Sequence, residues 1–218
     1  WGLHAGDAVV VYDDFRSVSA ARAWWLLRGA GVSDIRVLDG GLSAWRATGL
    51  PLETGDVSPE PGSILFDGVE EGISIDEAAA WPQRGVLLDA RAPERYRGES
   101  EPFDPVAGHI PGAVHLDLFG LSVRHTGPES LDSFFWMMEG LFGNRGVDHG
   151  KTVIVYDERT GTRAARAFWF LEYFGHEDVH VLDGGYDAWE MAAHPVSRDP
   201  VKPEGVSFKA RPVADRLA

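Results

Sequence analysis

Val153-Ile-Val-Tyr-Asp157-Glu-Arg-Thr-Gly-Thr-Arg163 begins as a β-branched apolar run and stops on two acids. It then crosses a short loop containing Gly161 and enters an Ala-, Phe- and Trp-rich stretch that reaches Phe174. An apolar run of this length, bounded by turn residues, reads as a buried strand. A strand feeding a loop at a helix N-terminus gathers backbone N–H groups into a ring able to hold an anion. A nucleophile at the end of the strand would sit at the centre of that ring. Here the position is Asp157.

Working outward, the same pattern occurs twice. Shifted by 144 positions, Tyr12-Asp13 falls on Tyr156-Asp157, Ala20-Ala-Arg-Ala23 on Ala164-Ala-Arg-Ala167, and Trp25 on Trp169. Val37-Leu-Asp-Gly-Gly41 falls on Val181-Leu-Asp-Gly-Gly185, Trp45 on Trp189 and Pro51 on Pro195, with no gap. Two copies of one supersecondary unit follow. Each reads as strand (8–12, 152–156), helix (19–30, 163–174), strand (35–38, 179–182) and a Gly-Gly turn into a helix carrying a Trp. Gly31 and Gly175 stand where helix C-caps belong. Strands alternating with helices predict an α/β fold with a parallel sheet.

The second copy reads as complete over residues 73–198. Ser74 with Glu77 forms a capping-box pattern ahead of a helix at 75–81, 85–89 reads as a buried strand, and an apolar helix is expected around 131–142. Residues 1–56 match only the C-terminal half of that unit. Pro, Gly and acids mark 57–72 as a linker, and 199–218 reads as the start of a further linker. The expectation is a piece of a longer tandem protein.

The chain carries a net charge of −14, spread along its length, which repels nucleic acid and anionic membrane; neither is an expected partner. No apolar run approaches membrane-spanning length, and a cytoplasmic address is the expectation. With no cysteine, disulfides, Cys-ligated zinc and thiol chemistry are ruled out within these residues. His176 and His180 have metal-like spacing but fall across a loop and a strand, so zinc is not expected, nor is any other metal or cofactor. The Trp24-Trp25 and Phe168-Trp169-Phe170 clusters read as core and interdomain packing.

Leu87-Leu-Asp89-Ala-Arg91-Ala-Pro-Glu-Arg95-Tyr96, then Gly108-His-Ile-Pro-Gly-Ala113, then Leu182-Asp-Gly-Gly185 with Trp189, resemble the rhodanese (thiosulfate sulfurtransferase) family over nearly the whole chain. The resemblance implies rhodanese-like domains, each a parallel five-stranded sheet flanked by helices. It also implies a reaction in which a loop cysteine takes sulfane sulfur from a small anionic donor such as thiosulfate, and the resulting persulfide passes that sulfur to cyanide or another thiophile. Carried over, the cysteine position holds Asp157, or Glu158 if counted back from Gly161 and Arg163, and Asp13 or Asp14 in the half-domain. The family's silent N-terminal domains also commonly carry an Asp there.

A carboxylate forms no persulfide, so the visible domains are expected to be silent. They would be part of a sulfurtransferase or, alternatively, a rhodanese-fold binding or regulatory module with a protein partner. The segment from Asp89 to Tyr96 resembles the family's active domains, in which Arg95 would contact the substrate anion; from Leu116 onward the chain resembles the silent type. Asp157 is either a degenerate nucleophile site or an acid that accepts loop N–H groups. Arg95 binds an anion or a neighbouring acid, and Asp89 with Arg91 is expected to form a structural ion pair. Arg159 and Arg163, flanking the Gly161 loop, either attract an anion or pair with Asp157 and Glu158. His109 is expected to be architectural.

Overall fold

In the computed structural model the described residues are 2–4, 6–14, 18–64, 72–81, 85–99, 108–118, 120–121, 128–158 and 161–213. They fall into two compact units, one within Trp1–Glu70 and one within Glu71–Leu217.

The first unit contains β1 (Val9–Val11), α1 (Val18–Gly29), β2 (Ile35–Val37) and α2 (Gly41–Ala47). The second contains β3 (Gly72–Ile73), α3 (Ile75–Ala79), β4 (Gly85–Asp89), α4 (Pro93–Tyr96), β5 (Val114–His115), α5 (Pro128–Gly143), β6 (Thr152–Tyr156), α6 (Thr162–Tyr173), β7 (Val179–Leu182) and α7 (Gly185–Met191).

The β-branched run at 153–155 becomes the middle of a five-stranded parallel sheet of order β3-β7-β6-β4-β5. Because a strand's side chains alternate between faces, β6 serves two cores. Val153 and Val155 pack with Met138 and Phe142 of α5 and with Phe168 and Leu171 of α6. Ile154 and Tyr156 face the other way, against Ala78 of α3 and Tyr186 and Trp189 of α7. A strand buried on both faces explains why this run is continuously apolar rather than alternating.

Capping follows the local chemistry. The Ser74 hydroxyl accepts the Glu77 N–H while the Glu77 carboxylate accepts the Ser74 N–H, so α3 opens on a reciprocal capping box. The N–H groups of Gly175 and His176 reach back to the Glu172 and Leu171 carbonyls, closing α6 with Gly175 at φ 77°. Gly31 and Val32 repeat those bonds on Arg28 and Leu27 at the end of α1.

Residues 199–213 contain no helix or strand, as a linker would, yet they are fastened to the second unit. Phe208 is buried against Phe142 and stacks on His149, and the Val206, Arg211 and Val213 N–H groups donate to the Gly143, Phe174 and Tyr173 carbonyls. Glu139 accepts from Lys209 Nζ and from the Ala210 N–H. The single Phe208 side chain supplies apolar burial that composition alone does not reveal.

His176, 3% exposed, stacks on His149, the ring against which Phe208 lies. Its Nε2 faces the Asp148 carbonyl at 3.0 Å and its Nδ1 accepts the Asp178 N–H at 3.3 Å, so the neutral ring with its proton on Nε2 satisfies both partners. Burial pulls the His176 imidazole below the ordinary histidine range, with the nearby His149 acting in the same direction. A base with a depressed folded pKa contributes stability above its unfolded value, about 6.5, and that stability is lost as pH falls through the folded value. The urea midpoint of the second unit is therefore expected to fall as pH drops from 7 to 5. His176→Gln should flatten that slope; an unchanged slope would remove His176 as the cause.

Candidate functional site

The loop after β6 is built around the Asp157 carboxylate. Its Oδ2 accepts the Arg163 N–H at 2.7 Å and the Ala164 N–H at 3.1 Å, the otherwise unpaired donors in the first turn of α6. The backbone carbonyl of Asp157 accepts the Tyr186 N–H from the first turn of α7 at 2.8 Å. One residue thus ties the end of β6 to two helix starts. Burial raises the Asp157 carboxyl above the ordinary aspartate range, and the two N–H donors oppose that shift.

The first unit repeats this arrangement at the 144-residue offset. Asp13 Oδ2 accepts the Ser19 and Ala20 N–H groups at 2.8 and 3.1 Å, and the Asp13 carbonyl accepts the Leu42 N–H at 2.9 Å. Removing the acceptor strands two first-turn donors. Asp157→Ala is expected to cost about 1–3 kcal/mol, read as a lowered urea midpoint, while Asp157→Asn, which keeps an acceptor oxygen, costs less. Equal losses in the two variants would contradict the capping role.

Glu158, the other candidate for the nucleophile position, turns toward α4. Arg95 Nε lies 3.2 and 3.1 Å from its two carboxylate oxygens, with both side chains mostly buried. Arg163 Nη1 pairs with Asp117 at 2.9 Å, a residue on the segment after β5. Gly161 takes the left-handed conformation, φ 69°, as the N-cap of α6. Arg159 lies outside the described residues.

Asp89 and Arg91 are fully buried and form a hydrogen-bonded network at the end of β4 in which Arg91 Nη1 has no hydrogen-bond partner among the described residues. Arg91 Nε reaches the Asp89 oxygens at 3.0 and 3.2 Å, and Nη2 reaches Oδ2 at 2.7 Å. Nη2 also donates to the Gly108 carbonyl at 2.7 Å, tying the strand end to the following turn. Tyr156 donates its hydroxyl to Asp89 Oδ2 at 2.7 Å and accepts the Ile110 N–H at 3.1 Å. The guanidinium lies 3.7 Å above the Tyr186 ring centre. Burial works against the Arg91 charge, but the Asp89 carboxylate outweighs it and holds the guanidinium protonated. Burial and the Asp89 charge both push the Tyr156 hydroxyl well above its ordinary value.

His109 is held in the same wall. Its ring stacks on Tyr96 at 3.9 Å, Nδ1 lies 2.8 Å from the Tyr96 carbonyl, and its backbone pairs with Ser197 in both directions at 2.8 Å. Asp117 and Tyr156 take part in the site's hydrogen bonding without having been singled out from the sequence. Tyr156 is part of the buried strand run, and Asp117 has no local motif to mark it. Among the described residues no group of three or more His, Asp or Glu side chains is arranged to hold a metal ion, and no helix is long and apolar enough to cross a membrane.

With this geometry in place, comparisons with known proteins define the class. The Rhodanese-like domain family model matches residues 2–48 and 74–192. The chain belongs to the rhodanese family. It is 39% identical over 212 residues to the "Putative thiosulfate sulfurtransferase SseB" of Mycobacterium tuberculosis, covering 94% of this chain and 69% of that protein. It is 40% identical over 198 residues to the "Probable 3-mercaptopyruvate sulfurtransferase" of Pseudomonas aeruginosa, covering 87% of this chain and 66% of that one. Among solved structures, the SseA 3-mercaptopyruvate sulfotransferase of Escherichia coli superposes with a TM-score of 0.57 at 27% identity, over 84% of this chain and 68% of SseA. EanB in complex with hercynine matches with a TM-score of 0.64 at 24% identity, over 92% of this chain and 52% of EanB, a likeness of fold.

Proposed function

We propose that this chain forms catalytically silent rhodanese domains of a sulfurtransferase whose substrate is a small anionic sulfur donor. The observation that carries the reading is the Asp157 carboxylate bonded to the Arg163 and Ala164 N–H groups. The helix-start donors that would receive an external anion already hold an internal one. A second anion a few ångströms away would be repelled by about 1–4 kcal/mol at surface-like dielectrics. Glu158 adds to this by taking the Arg95 guanidinium. With no cysteine in the chain, no residue here can carry a persulfide.

The test is sulfur transfer to cyanide from thiosulfate and from 3-mercaptopyruvate, measured on the chain and on its Asp157→Cys and Glu158→Cys variants. The unmodified chain is expected to match the uncatalysed rate, with turnover gained in one of the two variants. Turnover by the unmodified chain would sink the proposal. Silence in all three would redirect it to a rhodanese-fold binding or regulatory module.

A further inference from the structure

A recess of about 300 Å³ lies beside the first residues of β4, next to Lys151, the residue ahead of β6. It exists because β5 is short. β5 pairs only with Leu88 and Asp89, so β4 runs past it at residues 85–87. Leu87, Val114 and Pro203 give the recess apolar walls, and Arg145 and Lys151 bring positive charge to it.

Arg145 is half-buried and bonds only to carbonyls. Its Nε donates to His115 at 2.6 Å and its Nη1 to Leu141 at 2.9 Å, which ties the end of α5 to the outer side of β5. Among the described residues Nη2 has no hydrogen-bond partner, and no carboxylate pairs with the guanidinium. Burial pulls Arg145 below the ordinary arginine value, and no acid acts the other way. By contrast, Arg91, Arg95 and Arg163 meet Asp89, Glu158 and Asp117. Lys151 is also provided for: its Nζ donates to the Gly146 carbonyl at 3.0 Å and pairs with Asp148 at 3.3 Å. Glu204, an exposed residue on the wall, forms no ion pair with Arg145 or Lys151. In a chain of net charge −14, a half-buried guanidinium without a counter-ion needs an explanation that its two carbonyl bonds do not give.

We propose that this recess binds a short aliphatic carboxylate, its charged end on Arg145 and its hydrocarbon chain against Leu87, Val114 and Pro203. The chemistry selects that class. A guanidinium presents planar N–H donors that match the plane of a carboxylate, and apolar walls strengthen the pairing while covering a chain. The volume is at the lower end for small-molecule sites, which suits a short chain. The Asp157 loop follows the other end of β6, so the recess is independent of whether that loop is silent.

The test is a titration of the full chain with butyrate, read on the amide resonances of Gly85 and Gly146, with Gly161 as the remote control. Butyrate is expected to shift Gly85 and Gly146 saturably and to leave Gly161 unmoved. n-Butanol lacks the charge and sulfate lacks the chain, so each should bind about fivefold or more weakly. Arg145→Lys keeps the charge but loses the planar fork and should weaken butyrate about tenfold. Glu204→Gln, a change at an exposed side chain, removes a like charge and should tighten it about twofold. If Arg145→Lys disturbs the fold through its lost carbonyl bonds, Glu204→Gln and the probe comparison decide. Shifts that do not saturate, or an affinity indifferent to both substitutions, would overturn the proposal. Sulfate binding as tightly as butyrate would overturn it too, because the site would then read charge alone.

Discussion

Arg91→Ala is expected to lower the stability of the second unit by about 3–5 kcal/mol, because it leaves the Asp89 carboxylate charged, fully buried and without its counter-ion. The loss extends beyond one pair. The Gly108 carbonyl and the face of Tyr186 lose their partner, and Asp89 keeps the Tyr156 hydroxyl and the backbone N–H of residue 91 as donors but no cation. For a unit of this size the change corresponds to a fall in Tm of about 10 °C or more. The double variant Asp89→Leu/Arg91→Met separates the cost of an orphaned charge from the worth of the pair. It should recover much of the stability, since the expensive species is the unpaired ion rather than the absent bridge. Calorimetry or urea unfolding of the three chains decides the matter; a double variant no more stable than Arg91→Ala would contradict the network.

Gly185→Ala is expected to cost about 2–4 kcal/mol. Gly185 adopts φ 58°, a conformation that costs an L residue about 1–2 kcal/mol. A Cβ placed there would also lie 2.5 Å from the Asp157 carbonyl oxygen, the acceptor of the Tyr186 N–H. The clash pushes directly on the residue that caps α6, so strain at α7 reaches the loop. Gly41 is the internal control: at φ 57° its added Cβ would meet the Asp13 carbonyl at 2.3 Å. Gly41→Ala should therefore lower the urea midpoint of the first unit just as Gly185→Ala lowers that of the second. An unchanged midpoint in either would show that the Gly-Gly turn relaxes without moving the Asp.

Much of this architecture is legible in the chain because it is local. The β-branched runs, the Gly-Gly turns and the Ser74–Glu77 box each act within a few residues, so spacing alone reports them. β3 is not legible: two residues, one of them Gly72, form a strand only because β7 offers them a ladder. The anchoring of residues 199–213 is equally hidden, since Phe208 is one aromatic in a Pro- and charge-rich stretch whose site lies between Phe142 and His149.

The site divides the same way. The sequence by itself determined that an acid stands at the end of each repeated strand, that no thiol is present, and that a Gly-containing loop leads into a helix, since residue type and spacing specify all three. Only the tertiary structure decided which partner each charge takes. Parallel order brings the ends of β4, β5 and β6 to one edge of the sheet. There Arg95 meets Glu158 across 63 residues of chain, Arg163 meets Asp117 across 46, and Asp157 turns inward to its own helix. Spacing along a chain carries no information about such meetings, because strand order sets them and burial then enforces them by penalising every charge left unpaired.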